Sequence, residues 1–208
     1  MEDDFETLDR WRAGDRKAGT ELLQRHFDSL YRFFRNKVDS GVDDLIQRSF
    51  LACIESKDKF RKQASFRTYL FTVARHELYR HFRRNRRASE TDDIGEMSVL
   101  DLGTSPSNVA AQRQEQKLLL RALRAIPVDL QLAVELFYWE GLSTAEIAEV
   151  LEVPQGTAKS RLRRAREALE VEMKRLAESD ALLQSTMAHF EVWAKDVREV
   201  MGPDGGDS

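Results

Sequence analysis

Apolar residues recur every three or four positions over most of the chain, and this spacing constrains the fold more than any other feature of the sequence. One such stripe near the start consists of Leu22, Leu23, Phe27, Leu30, Tyr31 and Phe34. Side chains at this spacing share one face of an α-helix and pack together in a core. Only 4 of the 208 residues are proline, and few segments read as strands. The sequence therefore predicts an all-α fold.

The periodicity divides the first part of the chain into helical segments. Asp43 and Asp44 open one of them, because acidic residues in the first turn suit the helix dipole. A short basic loop separates that helix from the long one that follows. Together these segments predict a first helical domain over residues 1–87. The predicted segments are residues 5–38, read as one or two helices, and single helices at about 43–56 and 66–84.

The periodicity fails in the middle of the chain, where Gly, Ser, Thr, Pro and acidic residues dominate. That composition predicts a flexible acidic linker over residues 88–111. A second helical domain is expected over 112–177, with breaks at Pro127 and Gly141. Residues 178–208 predict one amphipathic helix and a disordered end. The apolar stripe of that helix, which packs either on the second domain or over a partner-binding surface, is Leu183, Met187, Phe190, Trp193, Val197, Val200 and Met201.

Charge is distributed unevenly along the chain, although the formal net charge is only -3. Residues 1–15 carry six acids against two bases, whereas residues 61–87 carry nine bases against one acid, Glu77. Basic character returns over residues 159–166. Two basic patches in an otherwise acidic chain indicate two contacts with a polyanion. Because the acidic segments oppose these patches, we expect the free protein to bind nucleic acid poorly.

The sharpest motif covers residues 141–169 and reads GLSTAEIAEVLEVPQGTAKSRLRRAREAL. Ser143 and Glu146 have the spacing of a capping box, which predicts a helix that begins at Thr144. Pro154 suits the first turn of a second helix. Two short helices joined by such a turn indicate a helix-turn-helix.

The second helix of this motif has two distinct faces. Ala158, Leu162, Ala165 and Leu169 recur at four, three and four residues and predict a buried stripe. Small, polar and basic groups on the other side suit base edges and phosphates in a major groove. A solvated basic surface is the alternative; the cap, turn and stripe together favour DNA. The candidates are Gln155, Gly156, Thr157, Lys159, Ser160, Arg161, Arg163 and Arg164.

The long helix of the first domain mixes aromatic and basic residues on one side. If Phe66, Leu70, Val73 and Ala74 form its buried face, the opposite face presents groups that suit unstacked bases and a charged backbone. A plain solvated surface is the alternative here too. The candidates on this face are Thr68, Thr72, Arg75, His76, Tyr79, Arg83 and Arg84.

The sequence gives no support for catalysis, because it contains no nucleophile motif, phosphate loop or convincing acid/base pair. His76 and His81 lie on different helix faces, so we expect no metal site and no cofactor. The single cysteine, Cys53, is expected to be a buried thiol. No run approaches the roughly 20 apolar residues that cross a bilayer, and the acidic start does not resemble a signal peptide. We therefore expect a cytoplasmic protein without membrane insertion.

Taken together, these segments resemble the extracytoplasmic-function (ECF) sigma factors over about residues 10–172. The opening RAGDRKAGTELLQRHFDSLYRF is similar to the family's first conserved stretch, and DDLIQRSFLACI to its helix that docks on the polymerase clamp. The family's helix that melts the promoter and reads the minus-10 element is similar to the segment FRTYLFTVARHELYRHFRRNRR. The family's domain that reads the minus-35 element is similar to the segment LRAIPVDLQLAVELFYWEGLSTAEIAEVLEVPQGTAKSRLRRAREAL.

The resemblance implies a sigma region 2-like bundle, a region 4-like helix-turn-helix domain, and a role in transcription initiation. The partners that it implies are core RNA polymerase, through the clamp helices and flap, promoter DNA, and an inhibitory anti-sigma factor. The implied polymerase contacts are Asp43, Asp44, Leu45, Gln47 and Phe50.

The resemblance also implies minus-10 contacts beyond the face of the long helix. A loop is expected to receive a flipped, non-template base. Where the family commonly has asparagine and aspartate, this chain has His76 and Arg80, so the resemblance does not imply a particular minus-10 preference. Arg80 is a further minus-10 candidate. The loop consists of Phe60, Arg61, Lys62, Gln63 and Ala64.

Two other classes of protein are weighed against the sigma factor. An autonomous helix-turn-helix regulator, binding duplex DNA without polymerase, explains residues 141–169 but neither the first domain nor the acidic linker. A signal-sensing or enzymatic N-terminal domain needs a pocket with convergent polar groups, and the sequence offers none.

Overall fold

The computed structural model describes residues 3–56, 64–85, 94–99 and 114–192, and within these ranges the all-α prediction is confirmed. Its one β-type pairing in those ranges is an isolated bridge between Ser98 and Pro127. A short 3-10 helix covers Ile94–Glu96. The α-helices are α1 (Asp4–Arg12), α2 (Arg16–Arg25), α3 (Phe27–Arg35), α4 (Val42–Ser56), α5 (Phe66–Asn85), α6 (Gln114–Ala125), α7 (Val128–Tyr138), α8 (Thr144–Val150), α9 (Gln155–Leu176) and α10 (Asp180–Ala188).

The first segment forms three helices, so the prediction of one or two over residues 5–38 was wrong. Gly14 ends α1 with a φ of 105°, a left-handed conformation that favours glycine. The next residue, Asp15, caps α2 by accepting hydrogen bonds from the backbone N–H groups of Lys17 and Ala18. A second break falls at His26, where α2 ends and α3 begins.

Capping and turn residues in the sequence correctly predicted the boundaries of the helices in the second half. The capping box at α8 is confirmed: Ser143 Oγ accepts from the Glu146 backbone at 3.3 Å, and Glu146 accepts from the Ser143 backbone at 2.8 Å. Pro127 precedes α7, Pro154 precedes α9, and Gly141 turns with a φ of 64°. These residues act through φ restriction or φ freedom, which is local to each position.

The predicted first and second domains share one apolar core. Leu30 of α3 and Leu70 of α5 belong to the same buried cluster as Leu132 of α7 and Ile147 of α8. A second cluster joins α6, α7, α9 and α10. The helix-turn-helix therefore packs directly on α5.

Part of the predicted linker belongs to this core. Ile94 and Val99 are buried, and the backbone N–H of Val128 donates to the carbonyl of Met97 at 2.7 Å. Residues 94–99 thus pack against α5 and α7. The rest of the predicted linker, residues 88–93 and 100–111, lies outside the described residues.

A fully buried lysine joins the two halves. Lys37 is 0% exposed, contacts the carboxylate of Glu135, and donates to the carbonyl of Phe33 at 2.6 Å. Asn36 and Gln131 donate to the other carboxylate oxygen at 3.2 and 2.8 Å. Burial lowers the pKa of Lys37, and the attraction of Glu135 opposes that shift. Because a lone buried charge is very costly, this network depends on both partners.

A second buried acid, Glu140, accepts from two arginines of the first half. Arg32 Nε lies 3.1 Å from one of its oxygens, and Arg67 contacts the other. Burial alone would raise the pKa of Glu140, but the two guanidinium groups outweigh it and hold that pKa below its ordinary value. The carboxylate therefore stays ionised at neutral pH inside the junction.

The tail helix α10 packs on the second half. Leu183 and Thr186 are buried, Ser185 donates to Glu115 of α6 at 3.2 Å, and Phe190 meets the ring of Tyr138 edge-on at 5.5 Å. These contacts favour packing on the second half for the start of the tail's apolar stripe. Trp193, Val197, Val200 and Met201 lie outside the described residues.

Glu135→Leu should lower the free energy of unfolding by about 3 to 5 kcal/mol, because Lys37 is left as an uncompensated buried charge. The double variant Lys37→Met/Glu135→Leu should recover most of that loss. Urea unfolding followed by circular dichroism measures both. Lys174→Ala, which breaks an exposed pair with Glu170, is the control and should cost less than about 1 kcal/mol. Equal losses for Glu135→Leu and the control would contradict the buried-charge account.

Ending the chain after Glu178 should lower the melting temperature by about 4 to 8 °C, because the buried Leu183 contributes at least about 2 kcal/mol. Leu183→Ala should reproduce much of this loss, whereas Gln184→Ala, at an exposed position of α10, should not. Differential scanning calorimetry of the four proteins makes the comparison. A truncated chain that melts with the full-length protein would remove α10 from the core.

Candidate nucleic-acid interface

The predicted two-faced character of α9 is confirmed by its burial. Ala158, Ala165 and Leu169 are fully buried and Leu162 is half-buried. The opposite face of the helix is open to solvent. Its exposed candidates are Gln155, Gly156, Lys159, Ser160, Arg163 and Arg164, with Thr157 half-buried.

The start of α9 is held in place by short-range bonds. Gln155 donates to Thr144 Oγ1 of α8 at 3.1 Å, which ties the two helices of the motif together. Ser160 donates to the Thr157 carbonyl at 2.8 Å. Arg163 pairs with Glu167 one turn on, whereas Arg164 makes no hydrogen bond or ion pair within the described ranges. Arg164 is thus exposed and unoccupied.

One candidate on α9 faces the interior instead of solvent. Arg161 is half-buried and pairs with Asp129 Oδ2 at 2.7 Å. Asp129 lies in the first turn of α7, 32 positions earlier in the chain. This arginine therefore connects two helices of the second half in the arrangement observed here.

The side of α5 opposite its core face is covered by the second half. Phe66, Leu70 and Ala74 are buried as predicted. On the other side, Arg75 Nη1 lies 3.0 Å and His76 Nε2 3.1 Å from the same oxygen of Glu152. The bond from His76 holds the pKa of Glu152 below its ordinary value against partial burial, and Arg75 acts in the same direction.

Two residues predicted on the exposed side of α5 are buried, so that part of the prediction was wrong. The hydroxyl of Tyr79 donates to the Asp129 carboxylate, and the Arg75 guanidinium lies 4.7 Å over its ring. Burial first, and Asp129 second, raise the pKa of Tyr79. Thr68 is 1% exposed, and its carbonyl accepts from Thr72, which is half-buried. The cause is the packing of the two halves, which helical periodicity does not reveal.

The C-terminal end of α5 remains open and basic. Arg80, Arg83 and Arg84 are exposed, and Arg80 contacts Glu77 one turn earlier. Ala64 is half-buried just before the helix, whereas residues 60–63 lie outside the described residues. A polar cleft of about 340 Å³ lies between α5 and α8. Its lining is Arg75, His76, Tyr79, Arg80, Arg83 and Glu152.

An apolar groove of about 280 Å³ runs along α4 beside Phe27. Two large apolar residues in it are exposed, Leu51 by 49% and Ile54 by 40%. Sequence reasoning missed both, although they follow Gln47 at helical spacing of four and seven residues. The full lining is Phe27, Asp43, Ile46, Gln47, Phe50, Leu51 and Ile54.

The residues of α4 predicted to contact polymerase differ in their exposure to solvent. Asp43 and Gln47 are exposed and Phe50 is half-buried in the groove. Asp44 is exposed and pairs with Arg48 at 2.8 Å. Leu45 is 0% exposed, so its predicted surface role does not fit this arrangement; it supports the helix from beneath.

Three further features of the described residues concern metal ligands, the cysteine and the length of apolar helices. Across the described ranges, no cluster of three His, Cys, Asp or Glu side chains is arranged to hold a metal ion. Cys53 is buried, and burial raises its pKa to about 12, as expected of an unreactive thiol. None of the helices in those ranges is long and apolar enough to cross a membrane.

Two family descriptions match the chain and together span most of both helical halves. "Sigma-70 region 2" matches residues 22–88, and "Sigma-70, region 4" matches residues 116–169. The first match accounts for the half of the chain that an autonomous helix-turn-helix regulator leaves unexplained.

Curated relatives agree with both matches. The chain is 28% identical to the ECF RNA polymerase sigma-E factor of Salmonella typhimurium over 172 residues, which is 78% of this chain and 90% of the relative. It is 27% identical to that of Escherichia coli over the same shares, and 28% identical to that of Haemophilus influenzae, with 78% and 91% covered.

Solved structures share the fold. CnrH, in complex with the cytosolic domain of CnrY, superposes with a TM-score of 0.63 at 23% identity, over 84% of this chain and 99% of that one. The sigma factor RpoE of Bartonella quintana, in complex with the anti-sigma factor NepR, gives 0.56 at 23% identity, over 78% and 99%.

Regions 2 and 4 are the parts of a non-enzymatic initiation factor, which agrees with the lack of any catalytic motif in the sequence. The chain therefore belongs to the ECF-type sigma factors, which bind DNA and promote transcription initiation by RNA polymerase.

Proposed function

We propose that this sigma factor uses three separate surfaces to bind its polymerase and DNA partners. The α4 groove binds core RNA polymerase, α5 with residues 60–64 reads and melts the minus-10 element, and α9 reads the minus-35 element. The observation that carries the proposal is the exposed, unoccupied Arg164 on a capped helix-turn-helix. The domain limits 1–87, 88–111, 112–177 and 178–208 belong to the same proposal.

The geometry of α9 supports its proposed DNA contact. Gly156 leaves room at the start of the helix, since a Cβ placed there would meet nothing within 4 Å. Exposed Lys159 and Ser160 lie on the next turn, followed by Arg163 and Arg164. Small groups near the N-terminus allow close approach to base edges, and the guanidinium groups suit guanine or phosphate.

The open end of α5 supports the proposed minus-10 role. Arg80, Arg83 and Arg84 present positive charge beyond the part of the helix that the second half covers. Arg75 and His76 add a cation and an imidazole to the same side, both paired with Glu152 in this arrangement, and the aromatic ring of Tyr79 lies buried beside them. Stacking groups beside guanidinium groups suit unpaired bases and their phosphates.

The groove on α4 supports the proposed polymerase contact. Leu51 and Ile54 expose apolar surface that is unfavourable in water and that a partner would cover. Asp43 and Gln47 provide polar edges around it. An apolar centre with a polar rim is the usual anatomy of a protein interface. Leu45 supports the groove from the core instead of contacting the partner.

We infer also that an anti-sigma factor regulates the chain and that it acts in the cytoplasm. The inference on regulation rests on the relative from Bartonella quintana, whose structure holds the anti-sigma factor NepR. The inference on location rests on the need to meet core polymerase and promoter DNA.

Arg164→Ala should reduce holoenzyme affinity for a promoter with an intact minus-35 element by about tenfold, because one good base or phosphate contact is worth about 1 to 3 kcal/mol. Ser160→Ala should weaken it less. Lys174→Ala, on the same helix but paired with Glu170, is the control and should bind as the unaltered protein does. Filter binding on intact and scrambled minus-35 elements measures the change. Unaltered affinity for Arg164→Ala and Ser160→Ala would mean that α9 docks by another face.

Leu51→Asp should weaken core polymerase binding by about tenfold or more, because a charge would replace exposed apolar surface in the groove. Val171→Asp places the same change at an exposed apolar residue of α9 and serves as the control. Fluorescence anisotropy with labelled protein and core polymerase gives both affinities. If the two variants bind alike, the groove is not the polymerase contact. Leu45→Ala is unsuitable for this test, because it alters the core.

A further inference from the structure

Arg80 and Glu77 of α5 form an ion pair whose two members differ greatly in exposure. The Arg80 side chain is 62% exposed, whereas that of Glu77 is only 6% exposed. The two residues lie three positions apart, so they are neighbours on the surface of the helix. A side chain in a packed interior keeps one rotamer, while an exposed one is free to meet a ligand. Glu77 therefore holds one end of a side chain whose other end faces solvent.

The contact with Glu77 uses only part of the Arg80 guanidinium group. Nη1 donates to Glu77 Oε1, and within the described ranges Nε and Nη2 make no hydrogen bond or ion pair. These two nitrogens carry parallel N–H groups on one edge of the planar group. Such an edge matches two adjacent acceptors, either O6 and N7 of guanine or two oxygens of a phosphate. The free edge of Arg80 is therefore suited to one of these two ligands.

The carboxylate of Glu77 favours the base over the phosphate. Its second oxygen, Oε2, is buried and has no hydrogen-bond partner among the residues that the structure describes. The carboxylate offsets the positive charge of Arg80 and repels an approaching phosphate, because like charges at this distance oppose each other. A nucleobase carries no charge and does not meet this repulsion. Arg80 is thus better suited to a base than to the DNA backbone.

Two other arginines at the same end of α5 lack an acidic partner. Arg83 and Arg84 are exposed, and neither forms an ion pair with an acid in the described part of the chain. Arg84 lies four positions beyond Arg80, so the two side chains share one side of the helix. A full positive charge suits phosphates, whose attraction does not depend on the base. The three arginines therefore differ in role, with two for the backbone and one for a base.

The free edge of Arg80 lies beside space for a ligand. Arg80 lines the polar cleft of about 340 Å³ together with Arg83 and His76. His76 lies four positions before Arg80, and its side chain is 48% exposed. Its contact with Glu152 is made through Nε2, in the plane of the ring, and does not use the face of the ring. Because aromatic side chains stack on unpaired bases, the cleft combines a stacking group with a hydrogen-bonding edge.

We propose that Arg80 reads one guanine in the unpaired strand of the minus-10 element and that Glu77 is the residue that positions it. This rests on the proposed minus-10 role of α5. Nε and Nη2 donate to O6 and N7 of the guanine, Nη1 stays on Glu77, and Arg83 and Arg84 contact neighbouring phosphates. On the edge that faces the major groove in a duplex, guanine alone presents two adjacent acceptors, so this contact distinguishes it from the other bases.

The test uses the full-length protein in complex with core RNA polymerase. Promoter fragments with a randomised minus-10 element are selected by binding, and sequencing of the bound fraction gives the base preference at each position. Filter binding over a range of salt concentrations gives the salt dependence of the affinity. The variants are Arg80→Ala and Arg80→Gln, with Arg84→Ala as the matched comparison at the same end of α5.

The unaltered protein should favour guanine about tenfold at one position of the element. Arg80→Ala should remove that preference and leave the salt dependence as it is. Arg80→Gln should change the preference from guanine to adenine, because the glutamine amide donates to N7 and accepts from N6 of adenine. Arg84→Ala should keep the guanine preference and reduce the salt slope by about one, as the loss of a phosphate contact does.

Three results would overturn the role of Arg80. The first is a guanine preference that survives Arg80→Ala, and the second is the lack of a guanine preference at every position. The third is a fall in the salt slope of Arg80→Ala equal to that of Arg84→Ala, since Arg80 would then contact a phosphate. If neither variant alters binding to any minus-10 sequence, the minus-10 role of α5 is itself rejected, and this outcome differs from the other three.

Glu77→Gln tests the positioning role. Without the carboxylate, Arg80 attracts phosphate as well as base, so the guanine preference should fall and the salt slope should steepen by about one. The double variant Glu77→Gln/Arg80→Ala should behave as Arg80→Ala does, because Glu77 acts through Arg80. A Glu77→Gln protein with a lower melting temperature and an unaltered salt slope would make Glu77 merely structural. The Arg80 variants decide the base contact independently of this result, since that side chain is mostly exposed.

Discussion

Acidic side chains along α7 and just after it fix the arrangement of the molecule. Asp129 accepts from Tyr79, Glu135 contacts Lys37, and Glu140 accepts from Arg32 and Arg67. The three acids lie at the beginning, near the end and beyond the end of an 11-residue helix. Three anchored points allow only one placement of α7 on α3 and α5. Buried ion pairs of this kind add little net stability, because the cost of removing the charges from water offsets their attraction.

The placement of α7 determines which surfaces are available. Because α7 lies on the first half, α8 and the turn with Glu152 come to rest on the side of α5 that carries Arg75, His76 and Tyr79. The exposed end of α5, the outer face of α9 and the α4 groove remain accessible. The surfaces proposed for polymerase and for the minus-35 element are therefore open together, while Arg75, His76 and Tyr79 of the minus-10 surface are engaged internally.

The local features of the fold were predictable because each depends on a few neighbouring residues. A capping box started α8 at Thr144, and Pro127 and Gly141 marked the breaks that the structure has. The break between α1 and α2 was missed, although Gly14 followed by Asp15 is a strong signal for a helix end and a cap. On α4, apolar Leu51 and Ile54 could have been recognised by their spacing from Gln47.

The sequence by itself determined most of the helices, the helix-turn-helix, the exposed basic face of α9 and, through its resemblance to known sigma factors, the family. Periodicity and capping act within a few residues, so they can be read directly. Only the tertiary structure decided that Tyr79 and Thr68 are buried, that Arg161 faces Asp129, and that Ile94 and Val99 belong to the core. Pairs such as His76 and Glu152 are 76 residues apart. No local pattern specifies which acid meets which base, because that depends on how the packed halves are placed.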